Sequence, residues 1–298
     1  MAKAAGNLAI APDESRPTIA SRAIAAGPDW QIAEIVCRAG PHDRPYEERH
    51  SRMSISAVVG GAFRYRAEHG EALLYPGALL LGNAGTCFEC GHDHGTGDRC
   101  IALHIEPELF DEVSASAAGS HRFRFTAAAL PAMPELIPTL VGLEALTETA
   151  RPLAAESLVI RTVERVGETL SGAKLTRTKP ARGDERRIGT VLRHIETNAD
   201  QPLNLEQLAA RANMSKYHFL RTFRRITGVT PYQFVLNLRM RRAAVRLATS
   251  PDAVAAIAYD AGFGDLSTFN NRFRAIFGAP PTTFRASAWR GLSPTNGG

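Results

Sequence analysis

The period of the hydrophobic pattern changes near residue 106 of the chain. Before it, from Trp30 onward, short apolar or alternating runs are separated by turn residues such as Gly60-Gly61 and Pro76-Gly77. Alternation with a period of two is typical of half-buried strands. Strands are therefore predicted over residues 32–37, 55–59, 63–67, 72–75, 78–81 and 101–105. Several short strands at this close spacing favour a small antiparallel β-barrel.

After residue 106 the apolar residues recur at intervals of three and four. This spacing is typical of amphipathic helices, and it predicts two helices broken near Pro152. The apolar positions that define the pair are Leu136, Leu140, Leu143, Leu146, Leu153, Val159, Val163, Val166 and Leu170. Such a pair can pack on the chain's own barrel or on a second subunit, so a homodimer is one of two expected arrangements.

The stretch from Leu205 to Arg285 is an internal repeat. The shift that moves Phe219 onto Phe269 also moves Ser215 onto Asp265, and both of these residue types cap a helix start by accepting a backbone N–H. The positions that recur after this shift with the same residue type are Phe219, Phe223, Arg224, Ile226, Gly228, Pro231 and Phe234.

A short apolar helix pattern precedes each cap. The two patterns are broken at Asn213 and at Gly262, residues that tolerate the left-handed backbone of a tight turn. Helix, short turn and capped second helix together predict two helix-turn-helix units, a motif whose second helix can lie in the DNA major groove.

A longer helix is predicted between the two copies, from Pro231 to Ala248. Proline is tolerated in a first helical turn, and the apolar residues that follow have helical spacing. Residues 231–248 would span roughly 27 Å at about 1.5 Å per residue. That length can hold two reading helices near the ~34 Å that separates successive major grooves on one face of DNA.

Charge is distributed unevenly along the chain. From Gly172 to the end there are 20 Lys and Arg against 8 Asp and Glu, whereas the part before Gly172 holds 15 against 22. A basic domain attracts phosphates, and its DNA binding would weaken steeply with salt. The positive charge therefore coincides with the repeat.

Length and composition indicate how the chain divides into domains, leader and linker. With 298 residues, 44% of them apolar, the chain favours two domains. Residues 1–28 are predicted to be a mobile leader and 172–185 a basic linker, because both lack apolar periodicity.

No apolar run approaches the ~18 residues that cross a bilayer, and the N-terminus lacks a signal-peptide pattern. A cytoplasmic protein with reduced cysteines is expected.

A compact set of metal-ligand side chains follows the strand at 78–81. The set comprises Cys87, Cys90, His92, His94 and Cys100. Thiolates and imidazoles at close spacing suit tetrahedral Zn²⁺. Two other interpretations stay open: reduced thiols tucked into the barrel as ordinary core residues, and a thiol redox sensor. Separately, His42 and His50 flank a Pro-Tyr-Glu-Glu stretch. Each is expected to be an exposed polar residue, and the alternative is that they face an effector pocket.

The second copy of the repeat resembles a known signature. The phrase Ala258-Tyr259-Asp260-Ala261-Gly262-Phe263-Gly264-Asp265 is followed by Ser267, Phe269, Phe273, Arg274, Gly278, Pro281, Phe284 and Arg285. Through these residues, 187–285 resemble the DNA-binding domain of the AraC/XylS family of transcription regulators. Phe284 occupies a position at which tyrosine is commoner in that family. The resemblance implies an α+β protein with two domains. These are a cupin-like antiparallel β-barrel with helices, which serves as sensor and dimerisation domain (29–171), and an all-α DNA-binding domain with two helix-turn-helix units (186–290), followed by a tail (291–298).

The two second helices of the repeat supply the candidate DNA contacts. Arg221 can bond guanine O6 and N7 together, and asparagine can pair with adenine. The predicted base contacts are Tyr217, Leu220, Arg221, Leu266, Ser267, Asn270 and Asn271. The predicted phosphate contacts are Lys216, Arg224, Arg225, Arg272 and Arg274. The family resemblance supports both helices as base-reading elements.

The expected function is a ligand-responsive, sequence-specific transcription regulator without enzymatic activity. Its partners would be double-stranded DNA, a small-molecule or ion effector and RNA polymerase, with no cofactor required for DNA binding. The Pro76-Gly77 turn resembles a cupin landmark, but the histidine that metal-binding cupins carry shortly afterwards is absent. Two alternatives remain: an alkyl-accepting or enzymatic cysteine or metal site in the N-terminal domain, and a barrel that serves for dimerisation alone.

Overall fold

The computed structural model describes residues 19–92, 97–118, 123–148, 152–172 and 180–290. Its N-terminal part is rich in strands and its C-terminal part is helical, as predicted. The strands are β1 (Ile19–Ala26), β2 (Trp30–Cys37), β3 (Glu47–Arg49), β4 (Met53–Gly61), β5 (Phe63–Ala67), β6 (Gly70–Leu74), β7 (Leu79–Gly82), β8 (Cys87–Gly91), β9 (Asp98–Ile105) and β10 (Ala129–Leu130).

Two antiparallel sheets form the N-terminal domain. One has the strand order β1-β2-β9-β4-β7-β10 and the other β3-β8-β5-β6. The sheets face each other, because the Tyr65 hydroxyl of β5 donates to the Leu81 carbonyl of β7 at 3.4 Å. All six predicted strands are present, so the prediction of an antiparallel β-domain is confirmed.

Strand β1 corrects the predicted leader. Residues 1–28 are expected from the sequence to be irregular, yet β1 lies within them and pairs with β2. Most β1 side chains are exposed, so this strand has little need for the apolar alternation that reveals a strand in sequence. Backbone pairing with β2 makes this segment a strand, and the local pattern of apolar and polar residues gives no sign of that pairing. Residues 1–18 lie outside the described residues.

Three helices cover the outer face of the larger sheet. They are α1 (Pro107–Ala118), α2 (Ile137–Glu148) and α3 (Pro152–Gly172). Leu103 of β9, Leu140 of α2 and Val163 of α3 belong to one buried cluster. The helix pair predicted from the three- and four-residue spacing therefore packs on the chain's own sheet, and the apolar stripe on which the homodimer prediction was based is used within the chain.

Seven helices form the described part of the C-terminal domain. They are α4 (Arg182–Thr197), α5 (Leu205–Arg211), α6 (Lys216–Thr227), α7 (Pro231–Thr249), α8 (Val254–Asp260), α9 (Leu266–Phe277) and α10 (Pro281–Arg290). The shift that relates the two copies in sequence also relates the first residues of α6 and α9, and of α7 and α10, so the repeat in sequence is a repeat in structure. Helix α4 starts before the predicted boundary at 186, which shortens the predicted linker 172–185. Residues 173–179 and the predicted tail 291–298 lie outside the described residues.

The two domains share buried surfaces. Tyr75 of the barrel and Phe223 and Phe234 of the first helix-turn-helix unit belong to one buried cluster, and the Tyr75 hydroxyl donates to the Thr227 carbonyl at 2.9 Å. Helix α2 uses a second side for the other unit, since its Ile137 joins a cluster that lies mainly on α7, α8 and α9. No described helix has the length and apolar character needed to cross a membrane.

Candidate nucleic-acid interface

The first reading helix, α6, is defined by its caps. The Ser215 side chain accepts a hydrogen bond from the His218 N–H at 3.4 Å. Gly228 ends the helix with φ of 75°, a left-handed conformation that glycine adopts without the steric cost of a Cβ atom. The turn before α6 passes through Asn213 with φ of 51°, so the predicted break at this residue is confirmed.

The second reading helix, α9, has the same construction. The Asp265 carboxylate accepts from the Thr268 N–H at 2.7 Å, and this bond and the Thr268 side chain hold the pKa of Asp265 below its ordinary value. Gly262 turns the chain with φ of 89°, and Gly278 ends the helix with φ of 72°. Two helix-turn-helix units of matching local geometry are therefore present.

Each reading helix has one buried aromatic face. Phe219 and Phe223 of α6 and Phe269 and Phe273 of α9 have no exposed surface, so they hold the helices to the core and are unavailable to DNA. Most of the predicted contacts are exposed: Lys216, Tyr217, Arg221, Arg224, Arg225, Ser267, Asn270, Asn271, Arg272 and Arg274. The remaining two, Leu220 and Leu266, are half-buried, and Leu266 packs against the core of its own unit.

Three of the predicted phosphate contacts already have partners. Lys216 Nζ lies 2.7 Å from Glu206 Oε1, Arg225 Nη2 lies 2.8 Å from Asp184 Oδ2, and the Arg272 guanidinium lies 5.9 Å from the ring centre of Tyr232. The first two contacts are ion pairs at the protein surface, where solvent screens the attraction between the charges. They can exchange for phosphate at little cost, and meanwhile they orient the cations on the exposed face.

Arg221 differs from those three. Among the residues that the structure describes, it makes no ion pair and no side-chain hydrogen bond, and it is exposed on α6. Its planar fork is therefore available for a base edge, which requires two parallel donors without a competing partner. The base contact predicted for Arg221 is therefore compatible with its position.

Arg239 of α7 connects the two helix-turn-helix units. Its Nε donates to the Ala199 carbonyl at 2.5 Å and its Nη2 to the Gln201 carbonyl at 2.8 Å, both in the loop before α5. Its Nη1 donates to the Gly262 carbonyl, in the turn of the second unit, at 2.6 Å. Sequence reasoning missed this residue, because an arginine within a basic helix gives no signal that its partners are backbone carbonyls.

Replacing Arg239 with methionine is expected to loosen the spacing between the two reading helices. The variant keeps an unbranched side chain of similar length but leaves three carbonyls without their donor, at a cost of about 1–3 kcal/mol in the free energy of unfolding. Binding should be compared across operators in which the two half-blocks are separated by one more or one fewer base pair. Arg242→Met is the matched control, since Arg242 bonds only the Glu196 carbonyl among the described residues. Equally strict spacing in Arg239→Met and the wild type would contradict this role.

Comparison with known proteins agrees with this geometry. A family model described as a helix-turn-helix domain matches residues 208–287. Regulatory protein SoxS of Salmonella typhimurium is 34% identical over 98 residues, which are 33% of this chain and 92% of the relative. The chain belongs to the AraC/XylS family of transcription regulators.

Two further proteins are similar to the same part of this AraC-family chain. The TetD protein of transposon Tn10 from Escherichia coli is 36% identical over 98 residues, which are 33% of this chain and 71% of the relative. Among solved structures, the DNA-binding domain of AdpA in complex with a target DNA has 31% identity and a TM-score of 0.34, and the match covers 37% of this chain and 98% of that one.

The N-terminal domain of this AraC-family chain separates the predicted metal ligands. The sequence suggests that Cys87 and Cys90 hold one ion together, but both lie in strand β8. Side chains three positions apart on a strand point to opposite faces, so these two thiols cannot share one ion. His94 lies outside the described residues. The predicted set of five is therefore wrong as a single site.

A different group of side chains comes together at this end of the barrel. Cys37 of β2, His92 and Asp98 of β9 place one ligand atom each within 4.8 Å of one another. Asp98 Oδ2 lies 2.6 Å from His92 Nε2, and the Cys100 thiol donates to Asp98 Oδ1 at 3.3 Å. Sequence reasoning missed Cys37 and Asp98, because Cys37 is far from the other two along the chain and Asp98 is an ordinary residue at the start of a strand.

Electrostatics in this group follow from its burial. Burial disfavours a charged His92, but the hydrogen bond to Asp98 and the nearby Cys37 outweigh it and raise the pKa of His92 to about 9. Burial also raises the pKa of the Cys100 and Cys90 thiols, and the negative charge of Asp98 acts in the same direction. The hydrogen bond to Asp98 thus favours a protonated His92 imidazole, and burial favours neutral Cys90 and Cys100 thiols.

Histidines also lie inside the barrel. His50 is buried, which corrects the expectation that it is exposed; its Nε2 is hydrogen-bonded to the Tyr65 hydroxyl at 2.8 Å and its ring stacks on Phe88 at 4.1 Å. Burial lowers the pKa of His50 to about 4, and the nearby His104 and His69 act in the same direction. The barrel interior therefore holds neutral imidazoles that can donate or accept hydrogen bonds.

Proposed function

We propose that this protein is a sequence-specific DNA-binding regulator of transcription that reads DNA with α6 and α9. The observation that carries the proposal is the pair of capped reading helices, whose aromatic faces are buried and whose polar faces are exposed in the same register of the repeat. The exposed residues include amide and guanidinium groups suited to base edges. The positive charge of this domain supplies affinity for phosphates.

Helix α7 sets the distance between the two reading helices. Its 19 residues span ~28 Å at about 1.5 Å per residue. Thr230 and Gln233 form a capping box at its start, and Arg239 ties its middle to both units. A rigid connection of this length supports simultaneous reading of neighbouring major-groove segments, which are ~34 Å apart on one face.

The N-terminal barrel is proposed to be the part that responds to a signal. It shares buried contacts with the first unit through Tyr75 and with the second through α2, so a ligand that favours one arrangement of these contacts would change DNA binding. The buried imidazole of His50 and the half-buried imidazole of His104 support a polar small-molecule or ion effector. A homodimer, contact with RNA polymerase and a cytoplasmic location remain predictions, as does the absence of enzymatic activity.

Replacing Arg221 with alanine is expected to lower the preference for one base position by about 1–3 kcal/mol. Affinity for random DNA should change little, because the lost contact is to a base edge. The full-length protein is first used to select bound sequences from a random pool, and the variant is then measured on the selected site and on single-base substitutions of it. A flat loss of affinity across all sequences would contradict base reading.

Arg224→Ala is the matched control for this experiment. Arg224 lies about one turn further along α6 and is exposed, and it is predicted to contact phosphate. Its loss should weaken specific and random DNA equally and reduce the slope of log affinity against log salt by about 1. A selection that yields no motif, with binding that follows salt alone, would overturn the proposed function.

A further inference from the structure

Cys37, His92 and Asp98 combine a thiol, an imidazole and a carboxylate in a buried position. Cys37 and His92 retain 9% and 6% of their exposure, and the Asp98 side chain retains 6%. Burying three ionisable groups together is costly unless their charges are matched. These three residue types are also the ligands with which proteins bind zinc.

The arrangement needs little movement to hold an ion. Tetrahedral zinc sites have ligand distances of roughly 2.0–2.3 Å, so their ligand atoms are about 3.3–3.8 Å apart. The three ligand atoms here already lie within 4.8 Å of one another. A small rotation of the side chains would exchange the hydrogen bond between His92 and Asp98 for two bonds to one metal, with the protons of the His92 imidazolium and the Cys37 thiol released to solvent.

Neighbouring groups already orient the three side chains. The His92 ring stacks on the buried Phe63 ring with centres 5.7 Å apart. The Cys100 thiol donates to the second Asp98 oxygen, and the Cys37 sulfur accepts from the Ala39 N–H at 3.4 Å. Hydrogen bonds of this kind around a metal site fix the ligands and typically contribute about 10–100-fold in affinity.

A small cavity lies beside the group. It is lined by two of the three ligands, Cys37 and His92, together with Asp43, Arg44 and Tyr46. Cys90 also lines this cavity, because the two-residue alternation of β8 places it on the same side of the chain as His92, which directly follows the strand. The two ligands therefore border a space outside the tightly packed core.

We propose that Cys37, His92 and Asp98 bind one zinc ion, with the fourth position open to water or a small ligand. Where a protein supplies three ligands to zinc, a water molecule or a small ligand completes the tetrahedron. The site is independent of the DNA-reading helices. It lies next to the domain contact, because Asp98 is the cross-strand partner of Gly61, whose N–H donates to both carboxylate oxygens of Glu196 on α4 at 3.2 Å.

The test uses the full-length protein, purified with a thiol reductant and stripped of metal with a chelator. Zinc affinity is measured by competition with a chromogenic chelator, and Co²⁺ provides a spectrum that reports tetrahedral geometry and a thiolate ligand. One ion per chain is expected. Cys37→Ser should lower zinc affinity at least about 100-fold, because removal of a ligand exceeds the effect of its supporting hydrogen bonds.

Cys87→Ser is the matched control, since Cys87 is on the opposite face of β8 and should leave zinc affinity unchanged. Asp98→Asn is the second test variant; it is nearly isosteric, and its expected loss is also at least about 100-fold. Far-UV circular dichroism of each metal-free variant checks folding. Wild-type protein that binds no zinc, or equal losses in Cys87→Ser and Cys37→Ser, would overturn the proposal.

Zinc should also raise the melting temperature of the wild type, because an ion that binds the folded state alone stabilises it. The rise should be absent in Cys37→Ser and Asp98→Asn and present in Cys87→Ser. An equal rise in all four proteins would place the ion elsewhere and contradict the assignment. This readout does not depend on DNA binding, so the zinc proposal can fail while the proposed regulatory function stands.

Discussion

Replacing Arg241 with alanine is expected to lower the free energy of unfolding of the full-length protein by about 3–5 kcal/mol. Arg241 lies on α7 but its side chain reaches the barrel, where Nη1 and Nη2 donate to the carbonyls of Val58 and Val59 at 3.3 and 3.1 Å. Its Nε lies 3.5 Å from Glu144 Oε2 on α2. The variant would remove these two donors and would leave Glu144 with only Arg99, whose Nη1 lies 4.0 Å away, in a region where Arg241 is 4% exposed.

Urea denaturation followed by circular dichroism measures this loss. Arg241→Lys keeps the charge but has a single ammonium in place of the planar fork, so an intermediate loss is expected. Arg221→Ala is the control for removing an arginine from this domain, and its exposed position predicts a change within about 0.5 kcal/mol. A loss below about 1 kcal/mol in Arg241→Ala, well under the range for a broken buried ion pair, would show that the domain contact contributes little to stability.

Replacing Phe273 with alanine is expected to cost about 3–5 kcal/mol and to impair the second reading helix. The ring has no exposed surface and lies 5.6 Å from Phe269, 4.4 Å from Phe277 and 5.2 Å from Phe284, measured between ring centres. Removing it leaves a cavity at the centre of this aromatic group, and the neighbouring rings are too large to fill the space without moving. Helix α9 would then lose the support that fixes its exposed face.

The matched variant on the same helix is Asn271→Ala. Asn271 is exposed, so its loss should leave the free energy of unfolding within about 0.5 kcal/mol of the wild type while lowering preference at one base position by about 1–3 kcal/mol. Urea denaturation and binding to the selected operator are measured on both variants. Phe273→Ala with wild-type stability, or Asn271→Ala with a large loss of stability, would contradict this division of roles.

The C-terminal domain was largely predictable because its information is local. Three local signals define its helices: caps such as Ser215 and Asp265, glycines at helix ends, and apolar residues spaced by three and four. Each signal acts within one or two helical turns, and the repeat contains each of them twice. The contact of Arg239 with Gly262 could not be predicted, because a side chain that donates to backbone carbonyls leaves no pattern in the residues that accept.

In the N-terminal domain the same method located most strands but did not group the ligand side chains that the structure brings together. The spacing from Cys87 to Cys100 indicated one group of metal ligands, whereas strand β8 directs Cys87 and Cys90 to opposite faces. Pairing of β2 with β9 brings Cys37 opposite Asp98, and no local rule relates residues so far apart. Strand β1 was missed for a similar reason, since its order comes from a partner strand.

By itself the sequence determined that a strand-rich domain precedes two helix-turn-helix units, which residues cap them and which faces are buried. These features follow from periodicity and backbone preference, both of which act over a few residues. Only the tertiary structure decided that α2 contacts both domains, that Arg241 joins them and that Cys37 meets His92 and Asp98. Such contacts arise from the pairing of strands and the packing of helices. The free energy that selects one arrangement of strands and helices is a sum over contacts throughout the chain, so no short stretch of sequence reveals it.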